Sequence, residues 1–269
     1  MRPHVDFSDS LTVTALYTAF TATRDSEYHY GGESHDFWEI VIVTQGEIGV
    51  TAEKNVFYLK KGQAILHPPN EFHNLWSAKN EASILIFTFC AKNLPLPTSQ
   101  IFEIRDLQEP FAVLREIEEA FEIQKFYATS IRRGCETGAA IAIKHLELFL
   151  LKALTADSER ERRHTSQSAK HYAEAVRFLE KNLHKNLSVA QIAAHCNLGE
   201  VNLKKIFSRY AGMGVTAYFN ALKLRAAVKM LENGATVCEV AEALGFSNQN
   251  YFSTAFTRAM GKSPKHFKG

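Results

Sequence analysis

SVAQIAAHCNLGEVNLKKIFSRYAG (Ser188–Gly212) and TVCEVAEALGFSNQNYFSTAFTRAMG (Thr236–Gly261) are two copies of one pattern. Ser188/Thr236, Val189/Val237, Ile192/Val240, Ala193/Ala241 and Leu198/Phe246 match at an offset of 48. Leu203/Phe252, Phe207/Phe256, Arg209/Arg258 and Gly212/Gly261 match at 49, so the second copy carries one extra residue in its turn. Each copy opens on a capping-box sequence, Ser188 with Gln191 and Thr236 with Glu239, which fixes a helix start because each side chain satisfies a backbone N–H that the helix leaves orphaned. A short helix, a polar turn and a longer helix with an apolar stripe every four residues follow in both. That is helix-turn-helix patterning, and it occurs twice.

The second helix of the later copy is expected to bury Phe252, Phe256 and Ala259. Its other face offers Asn250, Ser253, Thr254 and Thr257, with Asn248 and Gln249 at the start. This face is short, uncharged and rich in amides. The matching positions of the earlier copy are Val201, Lys204, Lys205 and Ser208. TAYFNALKLRAAVKMLENG (Thr216–Gly234) joins the copies as a helix with a stripe of Tyr218, Leu222, Ala226, Ala227, Met230 and Leu231, stopped at Asn233-Gly234. At 1.5 Å per residue it spans roughly 25 Å. With the widths of the motifs added, the two outward helices are expected about 34 Å apart, one turn of DNA.

Charge divides the chain in the same place. The formal net charge is only +2, but Ala169 to the end holds 14 Lys and Arg against six Glu, and residues 1–168 hold 17 basic against 23 acidic groups. A basic C-terminal part on an acidic N-terminal part suits a polyanion, with a phosphate backbone ahead of an anionic membrane surface. DSERERRHTSQSA (Asp157–Ala169) has linker composition. The expected domains are therefore 1–156, a linker at 157–168, and 169–269.

Up to about Ala91 the chain reads as strands: FWEIVIVTQG, EIGVTA, VFYLKKG, AILHPP and ASILIFTFCA. They follow one another too closely for crossover helices, so an antiparallel β-barrel or jelly-roll is expected, and the whole is an α+β chain. Next, PFAVLREIEEAFEIQKF is expected to be one helix through Leu114, Ile117, Phe121 and Gln124. GAAIAIKHLELFLLKAL (138–154) is a strongly apolar helix that packs on the barrel, joins a second copy of the chain, or both. Its charges exclude a membrane span. Four scattered cysteines without C-x-x-C spacing point to reduced thiols, neither a disulfide framework nor a zinc site. The start, MRPHVDFSDS, lacks the apolar run of a signal peptide, so a cytoplasmic protein is expected.

With these residues in view, the C-terminal hundred residues resemble the DNA-binding domain of AraC/XylS-type transcription regulators. The resemblance is carried by Leu187-Ser188, Ile192-Ala193, Leu203, Phe207, Tyr218, Leu222, Ala227, Leu231, Val240-Ala241, Leu244-Gly245-Phe246, Tyr251-Phe252, Phe256, Gly261 and Ser263-Pro264. It implies that each second helix enters a major groove of double-stranded DNA, where Asn and Gln suit adenine edges and Lys suits guanine or phosphate. The implied DNA-binding set is Val201, Lys204, Lys205, Ser208, Asn248, Gln249, Asn250, Ser253, Thr254 and Thr257. Two positions depart from the family: Gly199 stands where a Ser cap is usual, and Lys223 where Arg is usual.

HDFWEIVIVTQGEIGV…LKKGQAILHPPNEFHN resembles the cupin-like sensor domain that precedes this DNA-binding domain in many such regulators. His35, Glu39 and Gly46 fit the first cupin motif, and Gly62, Pro68 and His73 the second. Cupin enzymes hold a metal here, but the first His of their H-x-H is Glu33 in this chain. Glu33, His35, Glu39 and His73 form the alternative, metal-binding content of the barrel, and the alternative function is a metal-dependent cupin enzyme fused to a DNA-binding domain. The leading expectation has no cofactor and no catalysis. It is a small-molecule effector, with sugars suited to aromatic faces, held by Tyr28, Tyr30, His35, Trp38, Glu39, Phe72, His73 and Trp76. The resemblance implies a dimeric, effector-responsive activator that contacts RNA polymerase.

Overall fold

The computed structural model describes residues 10–28, 30–77, 80–94, 99–155 and 166–267. Most of the expected linker, 157–165, lies outside them, as does the start of the chain through residue 9. Two compact units result.

The first unit runs β1 (Thr12–Arg24), β2 (Trp38–Gln45), β3 (Glu47–Ala52), β4 (Asn55–Lys60), β5 (Gln63–His67), β6 (His73–Ser77), β7 (Ala82–Lys92) and β8 (Gln100–Glu103), then α1 (Gln108–Ala120), β9 (Phe121–Gln124), β10 (Tyr127–Ile131) and α2 (Glu136–Thr155). Seven strands form one sheet in the order β8-β5-β2-β7-β1-β10-β9, and β4-β3-β6 form a second. The expected barrel is thus two separate sheets rather than one closed cylinder. The two-residue period of β2 explains the layering. Val41 and Val43 point to the space between the sheets, where they meet Ile48, Val50, Phe57, Leu59 and Ile84. Trp38, Ile40 and Ile42 point the other way, into a core closed by Leu114 and Ile117 of α1 and Leu146, Phe149 and Leu150 of α2.

One expectation for the helices of this unit changes and another holds. The helix expected through Gln124 ends at Ala120, because Phe121 turns extended (φ −115°, ψ 148°) and pairs with Ile131 across a hairpin. Its tip is Lys125-Phe126, both at positive φ (49° and 78°), the geometry of a tight two-residue hairpin turn, here without the usual Asn or Gly. The apolar helix α2 does pack on the sheet, yet Ile141, Leu148 and Leu151 remain 48, 48 and 41% exposed. Both readings of that helix therefore stay in play. Among the described residues no helix is long and apolar enough to cross a membrane.

The second unit comprises α3 (Gln167–Lys181), α4 (Val189–His195), α5 (Glu200–Ala211), α6 (Val215–Glu232), α7 (Val237–Ala243), α8 (Gln249–Met260) and a closing 3-10 turn at Pro264–Phe267. Both capping boxes form: the Ser188 hydroxyl accepts from the Gln191 N–H at 3.2 Å and the Thr236 hydroxyl from the Glu239 N–H at 3.2 Å, each with the reciprocal bond. The first motif packs on α3 through Tyr172, Phe207 and Tyr210, with Tyr172 and Phe207 centroids 5.3 Å apart. The second packs through Val240, Ala241, Leu244, Phe252 and Phe256 against Leu224, Ala227, Val228 and Leu231 of α6. Because α6 contacts both motifs, it is buried on more than the one stripe expected of it. Ala259 is exposed; the stripe of α8 is continued instead by Met260 and by Phe267, whose ring lies 5.2 Å from that of Phe256.

Candidate functional site

In each helix-turn-helix the first helix ends in a left-handed residue, Asn197 (φ 53°) or Gly245 (φ 67°). The next amide then bonds back over the helix end, Leu198 N–H to Ala193 O and Phe246 N–H to Ala241 O, both at 2.9 Å. This shared turn aims α5 and α8 so that Leu203, Phe207, Phe252 and Phe256 are fully buried, which leaves the opposite faces to solvent.

On α8, Gln249, Asn250, Thr254 and Thr257 are exposed and Ser253 is half-buried. Not all of these groups are equally available. Asn248 caps the helix, its side-chain oxygen accepting from the Tyr251 N–H at 2.8 Å, so only its NH2 is left to offer. The hydroxyls of Thr254 and Thr257 donate to the Asn250 and Ser253 carbonyls (3.0 and 2.8 Å), which leaves them as acceptors. Gln249 and Asn250 thus have the amides with both edges available. On α5, Val201 is 65% exposed and Lys204, Lys205 and Ser208 are exposed. Gly199 caps without a side-chain bond, and Glu200 sits 3.5 Å from the Lys204 ammonium, an exposed pair worth little.

Two exposed residues were not singled out from the sequence, Asn202 and Tyr251, the latter 61% exposed. They occupy equivalent positions, one residue before Leu203 and Phe252. The repeat alignment was the signal that could have found them.

In the first unit, a cavity of about 190 Å³ opens among β1, β2, β6, β7 and the β9–β10 turn. Of the eight residues expected to hold an effector, Tyr28, Tyr30, His35, Glu39 and His73 line it, and Trp38, Phe72 and Trp76 do not. Trp38 falls on the helix-facing side of β2, by the same alternation that turns Glu39 inward. Trp76 is spent inside the fold, its indole N–H donating to Thr51 Oγ1 at 3.1 Å. Phe72 is buried. Residues not foreseen replace them, notably Thr18, Phe126 and Arg24, whose guanidinium stacks over Tyr28 at 4.4 Å with its Nε buried and lacking a hydrogen-bond partner.

At one end of the cavity the donor atoms of Glu33, His35, Glu39 and His73 all lie within 4.8 Å of one another. A two-residue bridge places Glu33 there, Glu33 N–H to His73 O and His73 N–H to Glu33 O, both 2.9 Å. Burial, then the neighbouring His67, pushes His73 down to about 3, so its ring is neutral. Burial also lowers His35, but the Glu39 and Glu33 carboxylates outweigh it and its pKa rises. Burial raises Glu39, and the surrounding imidazoles outweigh it, so the carboxylate stays ionised. Behind this group, Ser99 Oγ and Glu71 Oε2 both contact His67 Nδ1, at 2.8 and 2.9 Å. A nucleophile relay needs serine and carboxylate on opposite ring nitrogens, so this cluster lacks that arrangement.

Comparison with known proteins covers both units. A model described as an AraC-like ligand binding domain matches residues 16–136, and one described as a helix-turn-helix domain matches 192–269. The HTH-type transcriptional activator RhaS of Pectobacterium carotovorum is 24% identical over 278 residues, which is 98% of this chain and 95% of that protein. The MmsAB operon regulatory protein of Pseudomonas aeruginosa is 28% identical over 92 residues, 34% of this chain and 30% of its own length. Among solved structures, unsaturated fatty acid bound ToxT from Vibrio cholerae is 14% identical with a TM-score of 0.39, covering 99% of this chain and 96% of that one.

Proposed function

The chain belongs to the AraC-type transcription regulators, with an N-terminal ligand-binding domain and a C-terminal helix-turn-helix domain, and from that premise we propose that it is an activator whose two recognition helices read a two-box operator under control of a small effector. The observation that carries the reading is the pair of aligned, uncharged-to-basic faces on α5 and α8, each backed by two buried aromatic or aliphatic anchors. Asn250 and Gln249 suit adenine N6/N7 edges, Val201 suits a thymine methyl, and Lys204 and Lys205 suit guanine or phosphate. The domains are 1–156 for sensing and 169–269 for DNA, joined by 157–168. The site of action is the cytoplasm, with RNA polymerase as the protein contacted by the activated form.

The effector belongs in the cavity lined by Tyr28, Tyr30 and Phe126 with Arg24 and the His35/Glu39/His73 group. Its size suits a monosaccharide, and the buried Arg24 Nε favours one that carries an anionic oxygen. Selection of bound sequences from random duplex DNA tests the reading. Two conserved boxes whose centres lie about 10.5 base pairs apart are expected. Salt-sensitive binding with no consensus would reduce the second unit to a phosphate-holding module.

Dimerisation through α2 completes the proposal. Ile141, Leu148 and Leu151 are seven and three residues apart, the spacing of a helical seam, and all remain exposed although the helix's other side is buried. Leu148→Glu is expected to convert a dimer into a monomer in sedimentation equilibrium while leaving the melting temperature within a few degrees. An unchanged dimer rules out this seam.

A further inference from the structure

We infer that Lys223 is a positioning residue that holds the two recognition helices at one fixed spacing, by pinning the α3–α4 connection of the first motif to the second motif. The consequence for DNA rests on the reading that α5 and α8 engage two boxes at once. The helix α6 is one tie between the motifs. One tie sets a distance and leaves an angle open, so a fixed phase along DNA requires a second.

The second tie is the segment 183–186, which belongs to the first motif in sequence and to the second in packing. Leu183 packs against the cluster that contains Val240, Leu244 and Phe252. The His184 carbonyl follows, and it lies so close to Gly245 that a Cβ there would stand 2.2 Å from its oxygen. Next, Lys185 O and Asn186 Oδ1 accept from the Lys223 ammonium at 2.9 and 3.4 Å. Two residues later Ser188 caps α4, so the start of the first motif is set by these contacts.

A lysine is a costly choice for such a place. Lys223 is only 3% exposed, and lysines are almost never buried to that extent unless paired. Around its nitrogen stand the two oxygens and the rings of Phe219 and Phe246, at 4.8 and 5.5 Å. Neutral groups and aromatic faces offset only part of the cost of taking a charge out of water. An apolar side chain of similar length would fill the space at lower cost. What the ammonium adds is direction. It is carried by α6, it donates into the loop that opens the first motif, and it lies by Phe246, which follows Gly245 in the turn of the second. Three elements thus meet at one nitrogen.

The deciding measurement uses no DNA. In the full-length chain, Cys90→Ser, Cys135→Ser and Cys238→Ser leave only the buried Cys196, and Ser208→Cys with Thr257→Cys place spin labels at equivalent exposed positions of α5 and α8. One narrow label-to-label distance is expected. Lys223→Met should at least double the width of that distribution, and Lys223→Arg, which keeps the charge and the donors, should restore it. An equally narrow distribution in Lys223→Met overturns the inference. Should that variant fail to fold, Asn186→Ala, at an exposed position, decides in its place by the same criterion. On the selected operator, two base pairs inserted between the boxes should cost the wild type at least tenfold in affinity and Lys223→Met at most threefold, with single boxes bound alike by both. Wild-type spacing discrimination in Lys223→Met also overturns the inference. If the selection returns no two-box site, the operator reading falls, and the distance measurement still decides the role of Lys223.

Discussion

Gly245→Ala is expected to destabilise the second unit by about 2–5 kcal/mol, the combined cost of a left-handed alanine and a forced backbone collision. Gly245 has φ 67°, and a Cβ built on it would lie 2.2 Å from the His184 carbonyl oxygen. That turn has little freedom to withdraw. The Lys185 N–H bonds to Asn182 O at 2.9 Å, and the buried Lys223 ammonium donates to Lys185 O at 2.9 Å and to Asn186 Oδ1 at 3.4 Å. Gly261 is the control. It has nearly the same φ, 71°, with nothing within 4 Å of the built Cβ, so Gly261→Ala should cost only about 1–2 kcal/mol. Urea unfolding of both variants checks this, and equal losses would refute the role of the close approach. The earlier copy makes the same point naturally, since Asn197 occupies the equivalent turn at φ 53°. Left-handed geometry alone tolerates asparagine there; contact with His184 is what demands glycine at 245.

The C-terminal unit was legible because its determinants are local. Capping pairs, four-residue stripes and the repeat offset all act within one motif, and the repeat checks each copy against the other. Where that locality failed, the reading failed. Ala259 fits the stripe by spacing, but Phe267 reaches the core from beyond the helix and leaves Ala259 outside. In the first unit, β1 is the longest strand and was not foreseen. Register shifts between Val13 and Ala15 and between Leu16 and Thr18 interrupt its alternation, so no clean period of two survives in TVTALYTAFTATR. The β9–β10 hairpin was read as helix because Phe121 and Gln124 continue the spacing of Leu114 and Ile117, and Lys125-Phe126 gives no turn signal.

The cavity divides along the same line. His35, Glu39 and His73 were found by motif spacing, and Glu33 by its place beside His35. Trp38 and Trp76 were chosen for being near those residues in sequence. On a strand, nearness is the wrong guide: Trp38 adjoins Glu39 and therefore faces the opposite layer. Arg24 and Phe126 come from distant segments that meet at the cavity only after the sheet is formed.

Asn250→Ala should lower affinity for the selected operator by about 1–3 kcal/mol and relax the preference at a single base pair, as loss of one bidentate amide contact would. Affinity for unrelated duplex should not change. The hydrogen-bond pattern of α8 sharpens this expectation, because Asn250 keeps both edges of its amide while Asn248 has committed its oxygen to the Tyr251 N–H and Thr254 its hydroxyl proton to the Asn250 carbonyl. Thr254→Val should accordingly cost much less than Asn250→Ala. Lys204→Ala supplies the contrast in the first motif. If its ammonium meets phosphate, every sequence should bind more weakly and the salt slope should fall by about one. Its exposed contact with Glu200 will not hide that effect, since such pairs are worth under about 1 kcal/mol. Binding measured on the operator, on single-base variants of it and on random duplex, each across a salt series, separates the two behaviours. Equal losses from Asn250→Ala on all duplexes would show that α8 rests on the backbone and does not read base edges. The specificity of the regulator would then lie with α5, where Val201 and Asn202 are the remaining exposed groups of the first turn able to distinguish bases.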